Sequence, residues 1–205
     1  MIPKEDQEKI AELEMKIGLK KGFCCKLLEE DDWSFVIKLH AVFEAALSRL
    51  ICKQIGKDGL LDIISRLDTS NTSCGKLAFA KALGYIEDEE RKFIRNLSEL
   101  RNSLVHNISN SSFQFSEYLS QLDDKRAKSF LAGFVVEEFF QPNLNSAEVF
   151  RQAKAAPKWF VWLGAQSILW NFSHYLDWAE YDKTNENLDW FMKHLEEQAR
   201  IAQNN

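Results

Sequence analysis

EDEERKFIRNLSELRNSLVH, residues 87–106, reads as one amphipathic helix. Phe93, Leu97, Leu100 and Leu104 recur at three- and four-residue spacing, which at about 100° per residue gathers them into a narrow core-facing arc. Arg91, Arg95, Asn102 and His106 share the roughly opposite face. The run NISNSS, residues 107–112, ends the helix, because Asn and Ser side chains compete with helical hydrogen bonds.

Outward from this stretch the chain reads as helices throughout. Residues 4–20 carry Ile10, Leu13 and Ile17 at helical spacing. Asp31 or Asp32 caps a helix running to about Gln54, with Val36, Leu39, Phe43, Leu47 and Leu50 along one side. Short helices are predicted over 60–67 and 76–83, the second with Gly84 at its C-cap, joined by a polar connection over 68–74. Beyond the central helix, further helices are predicted over about 116–138, 146–155, 157–181 and 187–202, with Pro157 suited to a first turn. Three prolines and eight glycines leave little punctuation, and no strand-like alternation or internal repeat stands out. The expectation is one all-α domain over 1–205, with a helical bundle over about 31–140 and a C-terminal helical extension over about 145–203.

The chain has 205 residues and a formal net charge of −5, which argues against a protein that coats nucleic acid nonspecifically. A local basic patch remains compatible with that balance. Cys24, Cys25, Cys52 and Cys74 include no C-x-x-C pair, so reduced thiols are expected. Lys26 beside Cys24 and Cys25 is by itself a thin basis for a reactive thiol. His174 and His194 lack a partner at metal-ligand spacing, and neither a metal site nor a cofactor is expected. The start of the chain lacks a secretory pattern, and the apolar segment Trp159 to Trp170 is too short to cross a bilayer; a soluble, cytoplasmic protein without a membrane partner is expected. His40, with Glu44 one turn later, reads as a hydrogen-bonded core histidine. The aromatics from Trp159 to Trp178 occupy several faces of their helix. Part of that surface is therefore expected to bury against a second subunit.

Arg101 and His106 carry the chemical interest. A guanidinium is a rigid fork of donors for phosphate oxygens, and an imidazole moves protons near neutral pH without a cofactor. Together they are what metal-free RNA cleavage requires. On one ideal helix they lie well over a right angle apart, so either the last turn distorts or another surface completes the site. A two-fold dimer would bring two arginines and two histidines to one cleft. Asn102 would then hold the ring or a phosphate oxygen, and Arg91 and Arg95 would guide RNA. The plainer alternative is a solvated face, with Arg95 paired to Glu99 and His106 capping helix carbonyls.

Gly75-Lys76-Leu77 through Ala82-Leu83-Gly84-Tyr85-Ile86, then Glu89-Glu90, then Leu100-Arg101-Asn102-Ser103-Leu104-Val105-His106-Asn107, resembles the HEPN superfamily of all-α domains. More narrowly it is similar to the mannitol operon repressor-like branch. The resemblance covers residues 33–110, and residues 111–205 only in being helical. It implies a HEPN-like bundle with additional C-terminal helices and an Arg-x4-His motif at Arg101 and His106, with Asn102 after the Arg. It also implies a homodimeric, metal-independent endoribonuclease that leaves a 2′,3′-cyclic phosphate. A toxin or antiphage setting, with an antitoxin or regulatory protein as partner, is suggested by the family alone. Ile108 stands where HEPN toxins controlled by adenylylation often carry tyrosine, which puts that control in doubt. Two alternatives stand beside cleavage: a noncatalytic regulatory or partner-binding protein like the mannitol operon repressor, and nucleotide binding without hydrolysis.

Overall fold

The computed structural model describes residues 4–135 and 146–203, with side chains described for 7–135 and 147–181. In chain order the helices are α1 (Lys4–Lys16), α2 (Phe23–Lys26), α3 (Asp32–Ile55), α4 (Leu61–Ser65), α5 (Lys76–Ala82), α6 (Asp88–Val105), α7 (Phe115–Ser120), α8 (Asp124–Ala132), α9 (Ser146–Ala155) and α10 (Pro157–Gln203). The fold is all-α, with no strand among the described residues.

Helix α3 is the axis of the bundle. Its start is fixed by Asp31, whose carboxylate accepts from the Ser34 amide at 2.8 Å. Its end is fixed by Gly56 at φ 77°, where the amide returns to the Cys52 carbonyl. Between them Phe35, Val36, Leu39, Phe43, Leu47 and Leu50 are fully buried, each stabilising the fold by about 1.5–3 kcal/mol. Helices α6 and α10 pack along α3, α1 lies on α10, and α4 and α5 close the remaining side. At the centre Phe43 meets Phe93 of α6 at 5.9 Å and Phe172 of α10 at 6.2 Å, so one ring ties three helices together. The same core runs from Ile10 to Leu176, and α10 contributes Val161, Ala165, Ile168, Leu169 and Phe172 to it.

Several boundaries depart from the sequence expectation. The helix predicted over 116–138 is two, α7 and α8, because Asp123 opens a new helix by accepting from the Arg126 amide at 2.8 Å; residues 136–138 lie outside the described residues. The helices predicted over 157–181 and 187–202 are one continuous α10. Residues 182–186 contain no Gly or Pro, and their modest helix propensities cost too little to break it. The turn over 22–29 forms α2 and a 3₁₀ turn, organised by buried Glu14, which accepts the Cys24 amide at 2.6 Å. Of the α10 aromatics, Phe160, Trp162 and Phe172 are buried, while Trp159 stacks on Trp162 at 4.9 Å and Trp178 remains exposed. Among the described residues no helix is long and apolar enough to cross a membrane.

Gly164 of α10 packs tightly against Phe93 of α6: a Cβ there would lie 2.8 Å from Phe93 Cε2 and 2.9 Å from the Phe134 carbonyl oxygen. Gly→Ala inside a helix ordinarily stabilises through propensity. Here overpacking wins, and Gly164→Ala should lower stability by about 1–3 kcal/mol in urea unfolding. Equal or greater stability would show that the junction has slack.

Candidate functional site

Helix α6 is held at both ends. At its start the Glu87 amide donates to Glu90 Oε2 at 3.0 Å, and the Glu87 side chain completes a capping box. Glu90 is buried and also accepts from Asn171 Nδ2 of α10 at 2.8 Å, which fixes the helix on the bundle. At the other end Asn110 Nδ2 donates to the Ser103 carbonyl at 2.9 Å and Trp33 Nε1 to the Leu104 carbonyl at 3.5 Å. These two side chains do the capping, not His106. The backbone at His106 remains helical, φ −74° and ψ −14°, so the last turn is regular.

A regular last turn leaves Arg101 and His106 about 140° apart around the axis. Arg101 is half-buried and donates from Nη1 to Asn102 Oδ1 at 3.0 Å. His106 is exposed at the C-cap and makes no hydrogen bond or ion pair among the described residues. The structure therefore pairs Arg101 with Asn102, while His106, on the same face as Asn102, bonds to neither.

Further back on α6, Arg91 and Arg95 line one cleft of about 460 Å³, between the helix and the 68–74 connection. Ser70, Thr72, Lys92 and Asn96 line it too, and Asp88 stands at its edge. Arg95 also borders an adjoining depression formed with Ser73 and Glu99. Both arginines have carboxylate partners, Arg91 with Asp88 at 3.0 Å and Arg95 with Glu99 at 2.9 Å, as the plainer alternative expects for Arg95. Such exposed pairs are weak, so a phosphate can replace either carboxylate at little cost. The hydroxyls of Ser70 and Thr72 carry no local sequence signal for this position. Gly75 brings them there: a Cβ on it would meet the Asp68 carbonyl oxygen at 2.5 Å, so only glycine lets the connection fold this closely over α5.

Behind α6 lies a buried polar cluster. His40 Nε2 is 3.0 Å from Ser98 Oγ, and Ser98 donates its hydroxyl to the Ile94 carbonyl at 2.9 Å. The histidine is therefore the donor to Ser98, and in the neutral ring Nδ1 turns a lone pair toward Glu44 Oε2 at 3.5 Å. Glu44 also accepts from the Thr69 hydroxyl at 2.8 Å and faces Lys76 Nζ at 3.7 Å. Lys76 is 1% exposed and donates to the Ser65 carbonyl at 2.9 Å. The i, i+4 spacing of His40 and Glu44 was visible in the sequence. The burial of Lys76 had no local signal, since it depends on how α4 and α5 meet.

Burial holds the His40 pKa below its ordinary value; the Glu44 carboxylate opposes that, while the Arg101 and Lys76 charges add to it. Burial likewise lowers Lys76, again opposed by Glu44. Desolvation raises the Cys24 and Cys25 thiols, with Glu14 adding to both, so neither is activated as a nucleophile. Among the described residues no three His, Cys, Asp or Glu side chains are grouped to hold a metal ion.

The lowered His40 pKa has a definite sign in stability. Below its ordinary pKa of about 6.5 the unfolded chain takes up a proton that the folded protein resists. Stability should therefore fall as pH drops from 7 toward 5, and His40→Gln, which keeps a donor for Ser98, should lose less over that window in paired urea titrations. Parallel pH profiles would remove His40 as a buried titrating group. Comparison of the chain with protein-family models, curated proteins and solved structures finds no match, so the meaning of this site rests on its own residues.

Proposed function

We propose that the chain is a metal-independent endoribonuclease with a HEPN-like bundle, acting as a homodimer, and that Arg101 and His106 are its catalytic residues. One observation carries the proposal. Arg101 is the arginine of α6 without a carboxylate partner among the described residues, and His106, five residues on, is uncommitted. A half-buried guanidinium bonded only to a neutral amide keeps its charge for an incoming anion. An exposed imidazole that caps nothing is free to move a proton.

The regular end of α6 sets the rest of the mechanism. One chain aims Arg101 and His106 in different directions, so the reaction needs two helix ends facing across a two-fold axis. His106 takes the proton from a ribose 2′-hydroxyl, and the partner's His106 protonates the departing 5′-oxygen. The arginines hold the charge growing on the phosphorane, with Asn102 fixing the guanidinium. Arg91 and Arg95 lie on the same face as Asn102 and His106, over about 22 Å of helix, and their cleft is the track for flanking phosphates. The resemblance of residues 75–107 to HEPN proteins supports the same reading and adds an antitoxin or regulatory protein as partner, in the cytoplasm. The same divergence of Arg101 and His106 supports the second reading, a noncatalytic regulator of the mannitol operon repressor type, which would need no composite site.

Cleavage should survive EDTA, leave a 2′,3′-cyclic phosphate, and fail on substrates with 2′-deoxyribose at the scissile position. His106→Ala and Arg101→Ala should each reduce the rate by roughly a hundredfold or more while circular dichroism shows the folded bundle. Folded protein that is inert on varied RNAs, or that needs a divalent metal, moves the choice to the regulator. Light scattering at micromolar concentration, with and without RNA, should find a dimer; a strict monomer removes the composite site. Arg95→Ala should weaken RNA binding and flatten its salt dependence by about one phosphate contact. An unchanged slope would return the face to solvent.

A further inference from the structure

A second cleft, of about 570 Å³, lies between α3, α4 and the turn that follows α1. Ala41, Glu44, Ala45, Ser48 and Arg49 form a single stripe of α3 along it, at i, i+3, i+4, i+7 and i+8. Two alanines in that stripe make a low floor. The space is of the size that takes a small molecule rather than an ion alone.

The charges around the floor are unequally committed. Lys16 lines the cleft but is bound to Asp177 at 2.6 Å and Glu180 at 3.4 Å on α10. Of the two lining carboxylates, Asp62 is exposed, and Glu44 already receives Thr69, with Lys76 and His40 beside it. Lys76, 1% exposed, gives one donor to the Ser65 carbonyl and forms an ion pair with Glu44 at 3.7 Å. Arg49 is less well answered: its Nη1 is 3.8 Å from Asp58, and its Nε is buried with no hydrogen-bond partner among the described residues. Arg49 thus keeps an unanswered donor beside a floor of small side chains, with the Lys76–Glu44 pair next to it. A phosphate group offers several charged oxygens at once and can serve an Arg fork and a Lys ammonium together.

We propose that this cleft binds a small organic phosphate, with Arg49 and Lys76 on its phosphate oxygens and its body lying on Ala41 and Ala45. The assignment stands apart from the ribonuclease proposal, because none of Arg91, Arg95, Arg101, Asn102 and His106 lines the cleft. The occupant is nonetheless sensed at α6. Glu44 lines the cleft and faces His40, and His40 is bonded to Ser98, one turn before Arg101.

The test is calorimetry with two probes, inorganic phosphate and AMP, on the full chain carrying Arg101→Ala and His106→Ala so that the motif contributes nothing. Saturable one-to-one binding of both is expected, tighter for AMP, with the His40 ring resonances shifting as the site fills. Arg49→Gln should weaken both probes at least about tenfold, the scale of one lost charge-assisted hydrogen bond. Ala45→Leu, which fills the floor, should weaken AMP more than phosphate. Absence of saturable binding at millimolar probe overturns the proposal, as does binding that both variants leave unchanged while circular dichroism shows them folded. Phosphate binding with AMP excluded overturns the organic ligand. Because the motif is disabled throughout, failure here leaves the ribonuclease assay untouched, and an inert wild-type protein leaves this result untouched.

Discussion

The enclosure of α3 is the constraint on which the molecule depends. Helices α6 and α10 cover it along its length, and Phe43 touches an aromatic ring from each. On its covered faces such a helix cannot leave a polar residue to water, so a polar group there must find a partner inside the protein. His40 finds Ser98 and Glu44, Ser48 returns its hydroxyl to the Glu44 carbonyl, and Glu44 takes Thr69. The polar cluster behind the motif helix is thus a consequence of packing before it is anything else. Its position between α6 and the 570 Å³ cleft is what lets charge on one side be felt on the other.

What could be read in the sequence was what repeats locally. Phe93, Leu97, Leu100 and Leu104 declare α6 and its buried face, and Asp31 declares the start of α3; both hold. The structure departs from the local pattern where a single residue decides. Asp123 splits the region after Phe115 because one carboxylate at an N-cap outweighs the continuing apolar pattern, and residues 182–186 fail to break α10 because Asn and Thr weaken a helix without the steric veto of proline. The clefts were illegible for a different reason. Ser70 and Thr72 share a cleft with Arg91 and Arg95 beside the close fold at Gly75, and buried Lys76 is answered by the Ser65 carbonyl of α4 and by Glu44 of α3. Such contacts belong to the arrangement of short helices, which no local period encodes.

The difference among the arginines of α6, by contrast, was present in the sequence all along. Arg91 has Asp88 three residues before it and Arg95 has Glu99 four residues after it, both one turn away on the same face. The corresponding neighbours of Arg101 are Leu97, Ser98, Leu104 and Val105, none of which carries charge. Two arginines are therefore neutralised locally, and the third is left with an amide. A half-buried guanidinium without a counter-charge is costly to the fold unless solvent or a ligand completes it, which is why its place at the end of the helix matters more than its mere presence.

The position of His106 then decides what kind of site this can be. Capping of α6 by Asn110 and Trp33 keeps the last turn regular, and a regular turn fixes the angle between Arg101 and His106 at a value no side-chain rotation in one subunit is expected to close onto a single phosphate. The caps that stabilise the helix are the same contacts that keep the two groups apart. Were the turn to unwind, His106 could swing toward Arg101, at the cost of freeing the Ser103 and Leu104 carbonyls from their donors. Pairing two intact helix ends, as the ribonuclease proposal requires, would need no such loss, since two-fold symmetry would set the arginine of one chain against the histidine of the other. On the ribonuclease proposal the chemistry is for that reason a property of two helix ends together, and one regular α6 by itself does not aim both groups at a single phosphate.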